Sequence, residues 1–201
     1  IKTIAPVMTP VTDTPPNKST RLDILQTLPT FMKQQILAFF GFKEYTLTAR
    51  TCQYLKNMWT EAMNHHQITG TVFVPGQCNT LKEAVDRVHE NGNRLTTIVL
   101  GKGEHHIEKA YLEIPSAMNI VGDPAVAKEK IVVVGGIWFV KGVQGHCHLL
   151  HLTLRQAKQD GVVGLSSFTL DDVLVEQCGG NGVCAQGTGV VGRCTNVEVC
   201  Q

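Results

Sequence analysis

Apolar residues change their period along this chain, and each change predicts a different element. From Arg21 to about Asn64 they recur at spacings of three and four: Ile24, Leu25 and Leu28, then Phe31, Met32, Ile36, Leu37, Phe39 and Phe40, then Tyr45, Leu47, Leu55, Met58, Trp59 and Met63. That spacing predicts two or three short helices, punctuated at Gly41. Pro29 suits a first helical turn, where a missing N–H has no bond to lose. A strand follows over Thr71-Val-Phe-Val-Pro75. Leu81, Ala84, Val85 and Val88 then form the stripe of one amphipathic helix near 80–90, with Asn79 or Thr80 as N-cap and Gly92 as its stop. Beyond it the period falls to two. Strand-like runs at 97–100, 111–114, 119–121, 131–134, 137–140 and 148–154 are separated by Gly and Pro at intervals too short for crossover helices. This order predicts coils of a parallel β-helix rather than a doubly wound sheet.

The clearest signal is a repeat. The stretch from His151 to Val162 aligns with Asp172 to Val183 and then with Asn196 to Gln201, at steps of 21 and 24 residues. A unit this short cannot bury its apolar face alone, so successive units must stack. The alignment defines three columns: Leu149, Leu170 and Cys194 facing inward, His151, Asp172 and Asn196 at a polar corner, and Thr153, Leu174 and Glu198 facing outward. An open stack exposes strand edges, and the chain stops at Gln201 inside the third repeat, which predicts a longer parent protein. At the other end, Pro6, Pro10, Pro15 and Pro16 make residues 1–20 a tail or linker.

Composition excludes several partner classes. The net charge is +1 and 17% of residues are charged, so no overall field draws the chain to nucleic acid or to an anionic membrane. No apolar run approaches the roughly 20 residues of a bilayer span, and the first residues lack a signal-peptide pattern, so a cytoplasmic or nuclear protein is expected. The seven cysteines, at 52, 78, 147, 178, 184, 194 and 200, lack the spacing of a zinc knuckle or redox dithiol. Alignment puts Cys194, Cys184 and Cys178 in small apolar slots, which predicts buried free thiols. Neighbouring histidines such as His105 and His106 point to opposite faces of a strand, while His146 and His148 share one face and supply too few ligands. Neither Gly101-Lys-Gly103 nor Gly179-Gly-Asn-Gly182 has phosphate-loop spacing before a helix. Neither metal nor cofactor is expected.

Two resemblances add expectations. The order strand, helix with Thr80-Leu-Lys-Glu-Ala-Val85, Thr97-Ile-Val-Leu-Gly-Lys-Gly103, Tyr111-Leu-Glu-Ile114 and Met118-Asn-Ile-Val-Gly-Asp123 resembles the opening of the pectin-lyase-like superfamily. The resemblance covers about 70–201 and implies a mainly β chain, a right-handed parallel β-helix preceded by a small α-helical segment. That scaffold hosts polysaccharide-cleaving enzymes and pure binding surfaces alike. The enzymes set carboxylates on neighbouring coils; here the catalytic candidates are Asp172 and His151, with Asp171 alongside, against a simpler reading of their column as a hydrogen-bonded corner.

The second resemblance lies within 21–66. Leu28-Pro29, Ile36-Leu37, Phe39-Phe40, Tyr45, Leu47, Ala49-Arg-Thr-Cys52, Leu55 and Trp59 resemble an F-box, with Gln53-Tyr54 where a basic-aromatic pair is commoner. It implies that Leu28, Pro29, Ile36, Leu37, Phe40 and Trp59 bind a Skp-type adaptor. The chain would then be a substrate-recognition component of a cullin-type ubiquitin ligase, its β-helix holding the protein substrate. Three alternatives stand beside it: a lyase or hydrolase of acidic polysaccharide, a scaffold subunit of a larger assembly, and a helical segment that merely caps the stack.

Overall fold

The computed structural model describes residues 70–201. The tail 1–20 and the segment 21–66, with Leu28, Pro29, Ile36, Leu37, Phe40 and Trp59, lie outside the described residues. What is described is mainly β: eleven strands in one sheet, paired in parallel throughout, with one α-helix and two short 3-10 turns.

Helix α1 spans Leu81–Glu90. Thr80 is its N-cap, extended at φ −126°, and the Thr80 Oγ1 accepts a hydrogen bond from the Glu83 backbone N–H. Glu83 in turn accepts from the Asn79 backbone N–H, so the first turn is tied on both sides. The helix ends at Asn91, whose side chain donates to the Arg87 carbonyl, one residue before Gly92. Leu81, Ala84, Val85 and Val88 are buried in the same core cluster as Val72, Ile98 and Leu112, which seats α1 on the first strands of the sheet.

The strands form three rows. The first holds β1 (Thr71–Val74), β2 (Thr97–Leu100), β4 (Asn119–Gly122), the front halves of β6 (Cys147–Arg155) and β8 (Phe168–Glu176), and β10 (Gly192–Thr195). The second row is the front halves of β3 (Gly103–Ile114) and β5 (Ile131–Phe139), the rear halves of β6 and β8, and β11 (Glu198–Cys200). The rear halves of β3 and β5 continue into β7 (Val162–Gly164) and β9 (Val183–Ala185) as the third. The chain visits the rows in turn, so each coil lies on the one before it.

Register follows the repeat. Leu149 pairs with Leu170 and Leu170 with Cys194; Thr153 pairs with Leu174 and Leu174 with Glu198. Because side chains alternate across a strand, this register stacks Val72, Ile98, Ile120, Leu149 and Leu170 into one inward file and Val133, Leu154 and Val175 into another. Phe139 and Phe168 stack between rows with ring centroids 5.2 Å apart. Burying each such side chain stabilises the fold by about 1.5–3 kcal/mol.

The structure departs from the sequence expectations in three places. Strand β3 starts at Gly103, not near Tyr111, and pairs Gly103–His106 with Ile131–Val134 before a register shift ahead of Tyr111. Its polar run Glu104-His-His-Ile-Glu-Lys109 carries no strand signal, and pairing with β5 overrides that. Cys78 and Cys147 are buried and Cys178 and Cys184 partly so, but Cys194 and Cys200 are exposed. Those two lie in β10 and β11, which have neighbours only on the β8 side, so their slots are open to water. Thr153, expected on the outer surface, is buried under an excursion of the chain described below.

Leu149 sits in mid-file at full burial. Leu149→Ala is expected to destabilise the chain by about 2–5 kcal/mol in urea unfolding followed by circular dichroism. A loss below about 1 kcal/mol, the range of exposed sites, contradicts the stacked file.

Candidate functional site

The polar corner column is set by backbone geometry. Strands β6 and β8 pass from the first row to the second through a single residue each, His151 at φ 55° and Asp172 at φ 54°, and Asn196 repeats the turn at φ 51°. This left-handed region is costly for most side chains, and His, Asp and Asn are the non-glycine residues most enriched there. One coil earlier, β4 ends at Gly122, where a β-carbon would stand 1.9 Å from the His151 carbonyl oxygen. Glycine is required by that close approach.

Between β4 and β5 the chain makes an excursion over 123–130, which includes the 3-10 turn Lys128–Lys130. It starts with an Asx turn, the Asp123 side chain accepting from the Ala125 N–H at 2.8 Å. It then folds back over the corner. The Val126 carbonyl lies 2.8 Å from His151 Nε2, the Lys128 carbonyl accepts from Thr153 Oγ1 at 3.0 Å, and Lys128 Nζ lies 3.3 Å from Asp172 Oδ1 and 3.3 Å from Glu198 Oε1. His151 Nδ1 and Asp172 Oδ2 are 2.6 Å apart, with His151 7% and Asp172 6% exposed. Burial by itself pulls the Lys128 pKa down, but the hydrogen bonds and charges of Asp172 and Glu198 outweigh it and hold the ammonium above its ordinary value.

The catalytic candidates are thus in contact, at the distance of a base and its orienting carboxylate. Their remaining polar atoms are held by neighbouring groups. A general base needs a lone pair aimed at the proton it removes. Both ring nitrogens of His151 instead lie at hydrogen-bond distance from acceptors, the Asp172 carboxylate and the Val126 carbonyl, so neither faces a substrate. Asp172 spends its other oxygen on Lys128. The four groups form a cross-brace between the excursion and two coils. Asp171, on the opposite side of β8, is half-buried and takes no part.

Val126 and Lys128 were not among the residues singled out from sequence. No periodicity marks them, because the excursion is irregular and contacts residues 25 to 70 positions away. The available signal is spacing: more residues separate β4 from β5 than separate the two halves of β6 or β8.

Other charges lie on the outer side of the second row. Arg155 pairs with Glu104 across one coil, His106 Nε2 is 3.1 Å from Glu104 Oε2, and Glu176 is in register beside Arg155. His105 turns the other way and is buried, its Nε2 3.0 Å from the Gly101 carbonyl. Burial lowers its pKa below 6.5, the Gly101 carbonyl opposes this, and the neighbouring His106 adds to the lowering. His146 and His148 pack edge to face at 6.1 Å. Among the described residues no three or more His, Cys, Asp or Glu are grouped to hold a metal ion, and no helix is long and apolar enough to cross a membrane. No protein-family model, curated protein or solved structure matches this chain.

Asp172→Ala removes the centre of the brace, leaving His151 without a carboxylate and Lys128 with exposed Glu198 alone. The expected loss is about 3–5 kcal/mol, read as a lowered urea midpoint, and a loss below about 1 kcal/mol contradicts the brace. A separate effect follows from His105. Its folded-state pKa is lowered, so the unfolded chain binds the proton more readily; the stability from the neutral ring is complete above 6.5 and is lost as pH falls from there through the lower folded-state pKa. His105→Leu should therefore flatten the dependence of unfolding free energy on pH between about 7.5 and about 5, and an unchanged slope would refute the assignment.

Proposed function

We propose that this chain is a non-enzymatic protein-interaction module whose strand rows close as a right-handed parallel β-helix. In this reading its outer face holds a protein substrate, and the F-box-like segment within 21–66 recruits a Skp-type adaptor of a cullin-type ubiquitin ligase. The observation that carries the first half is that charge is paired on the second row and at the corner beside it: Glu104 with Arg155, Lys128 of the excursion with buried Asp172 and exposed Glu198, and His151 closed between a carboxylate and a carbonyl. A sugar-cleaving site keeps an acid and a base separately poised toward substrate. The charges left on the outside, Glu104, His106, Arg155, Glu176 and Glu198, instead give a patterned surface of both signs, which steers and orients a protein partner. The second half is supported by the residues Leu28, Pro29, Ile36, Leu37 and Phe40, spaced as an amphipathic docking face requires.

The test is capture of the purified full chain by a Skp-type adaptor. Binding at micromolar concentration is expected, with at least a tenfold loss for the double variant Leu37→Asp, Phe40→Asp. No binding at that concentration defeats the adaptor half. Release of reducing or unsaturated sugar ends from an acidic polysaccharide, abolished by Asp172→Ala, would defeat the non-enzymatic half.

A further inference from the structure

The three rows present different outer sides. On the first, the outward residues of the early coils, Phe73, Val99, Val121 and Leu150, are buried. On the second, the charges of Glu104, Arg155 and Glu176 dominate. The third is apolar and reaches the surface. Trp138, Val163 and Cys184 follow one another in register on it, and they point outward because Ile137, Phe139 and Val162 beside them belong to the core cluster. A second column runs alongside, through Pro115, Val140 and Leu165, where the ladder is carried on by the Val140 N–H to the Ile114 carbonyl and the Leu165 N–H to the Phe139 carbonyl. All six are half-buried, each leaving part of its side chain at the surface. Single apolar residues on a surface need no explanation, but a contiguous patch two columns wide marks a contact.

The aromatic end of the patch is fixed in advance. The Tyr111 hydroxyl accepts from the Asp160 N–H at 3.1 Å, and its ring stands edge-on to Trp138, with centroids 6.0 Å apart and planes at 66°. A β-carbon at Gly136 would stand 2.6 Å from Tyr111 Cδ1, so glycine is what lets the ring lie on the row. Rings held in this way lose little freedom when a partner covers them.

Charge at the two ends of the patch decides which partner fits. Glu113 stands in register beside Trp138 at one end, and Lys141 follows Val140 at the other. Both are exposed, and neither forms an ion pair among the described residues. They are separated by one coil step of roughly 4.8 Å and by three residues, about 10 Å, along the strand direction. An acid at one end, a base at the other and apolar side chains between them make the patch complementary to itself. A two-fold axis lying in the face, midway between Glu113 and Lys141, sets each acid against the base of the other copy. At the spacings of strand and coil, the same axis carries Trp138 of one copy onto Val140 and Leu165 of the other, and Val163 close to its own counterpart.

We propose that the outer side of the third row is where a second copy of this chain docks, face to face about that two-fold axis. The charged second row takes no part in the contact and stays open in both copies.

Sedimentation velocity of the full chain over a dilution series is the test. A monomer–dimer equilibrium is expected, in which Glu113→Lys and Lys141→Glu each weaken association by roughly tenfold or more, because each sets like charges together twice. Placing both substitutions in one chain exchanges the two ends and should restore the dimer, and an equimolar mixture of the two single variants should pair as well. Both positions are exposed, so the strand signal in circular dichroism should not change. A chain that stays monomeric across the series overturns the proposal. So does a dimer that the single variants leave intact, or one that the double variant fails to restore, because either result puts the contact on another surface, the open edges of β10 and β11 included.

Discussion

Everything in the described fold depends on the in-register stacking of aliphatic side chains between neighbouring coils. A single coil of three short strands has too little interior to stay folded, and each becomes stable only when Val72, Ile98, Ile120, Leu149 and Leu170 stack as one file at the spacing of paired strands. The same requirement fixes the register. A slip of one residue would turn Leu149 and Leu152 outward and bring His148 and Thr153 into the core, so no neighbouring register competes.

Stacking also imposes a problem at the corners. To pass from row to row within one residue, the backbone must enter the left-handed region at His151, Asp172 and Asn196. His151 and Asp172 bring polar side chains to a place where the excursion over 123–130 shuts out water, while Asn196 stays exposed. A buried polar group must find partners there, and the His151, Asp172, Lys128 and Val126 groups supply one another. Atom by atom, the His151–Asp172 contact is part of a brace in which both imidazole nitrogens lie beside acceptors.

The outward side of the first row is apolar over the early coils, at Phe73, Val99, Val121 and Leu150, and gives way to Asp171 and Thr195, whereas the charged face runs from Glu104 to Glu198 along the second row. In the function proposed above, the charged face is the one suited to recognition, where opposite charges choose orientation and partner at modest cost in affinity.

By itself the sequence determined the period of the fold. The 21- and 24-residue steps, the inward Leu149 and Leu170, the polar corner at His151 and Asp172, and the amphipathic helix ending near residue 90 are all local patterns, legible because a strand or helix repeats its own side-chain geometry. The tertiary structure alone decided what those residues touch. The strand at Gly103–His106 arises from pairing with β5 against its own propensity, the thiols of Cys194 and Cys200 are open because β10 and β11 have neighbours on one side only, and Thr153 is buried by an excursion that starts 30 residues earlier at Asp123. Whether a His beside an Asp is a base or a brace depends on the third and fourth groups, Val126 and Lys128, and these reach it through a loop whose irregular backbone leaves no periodic trace in the chain.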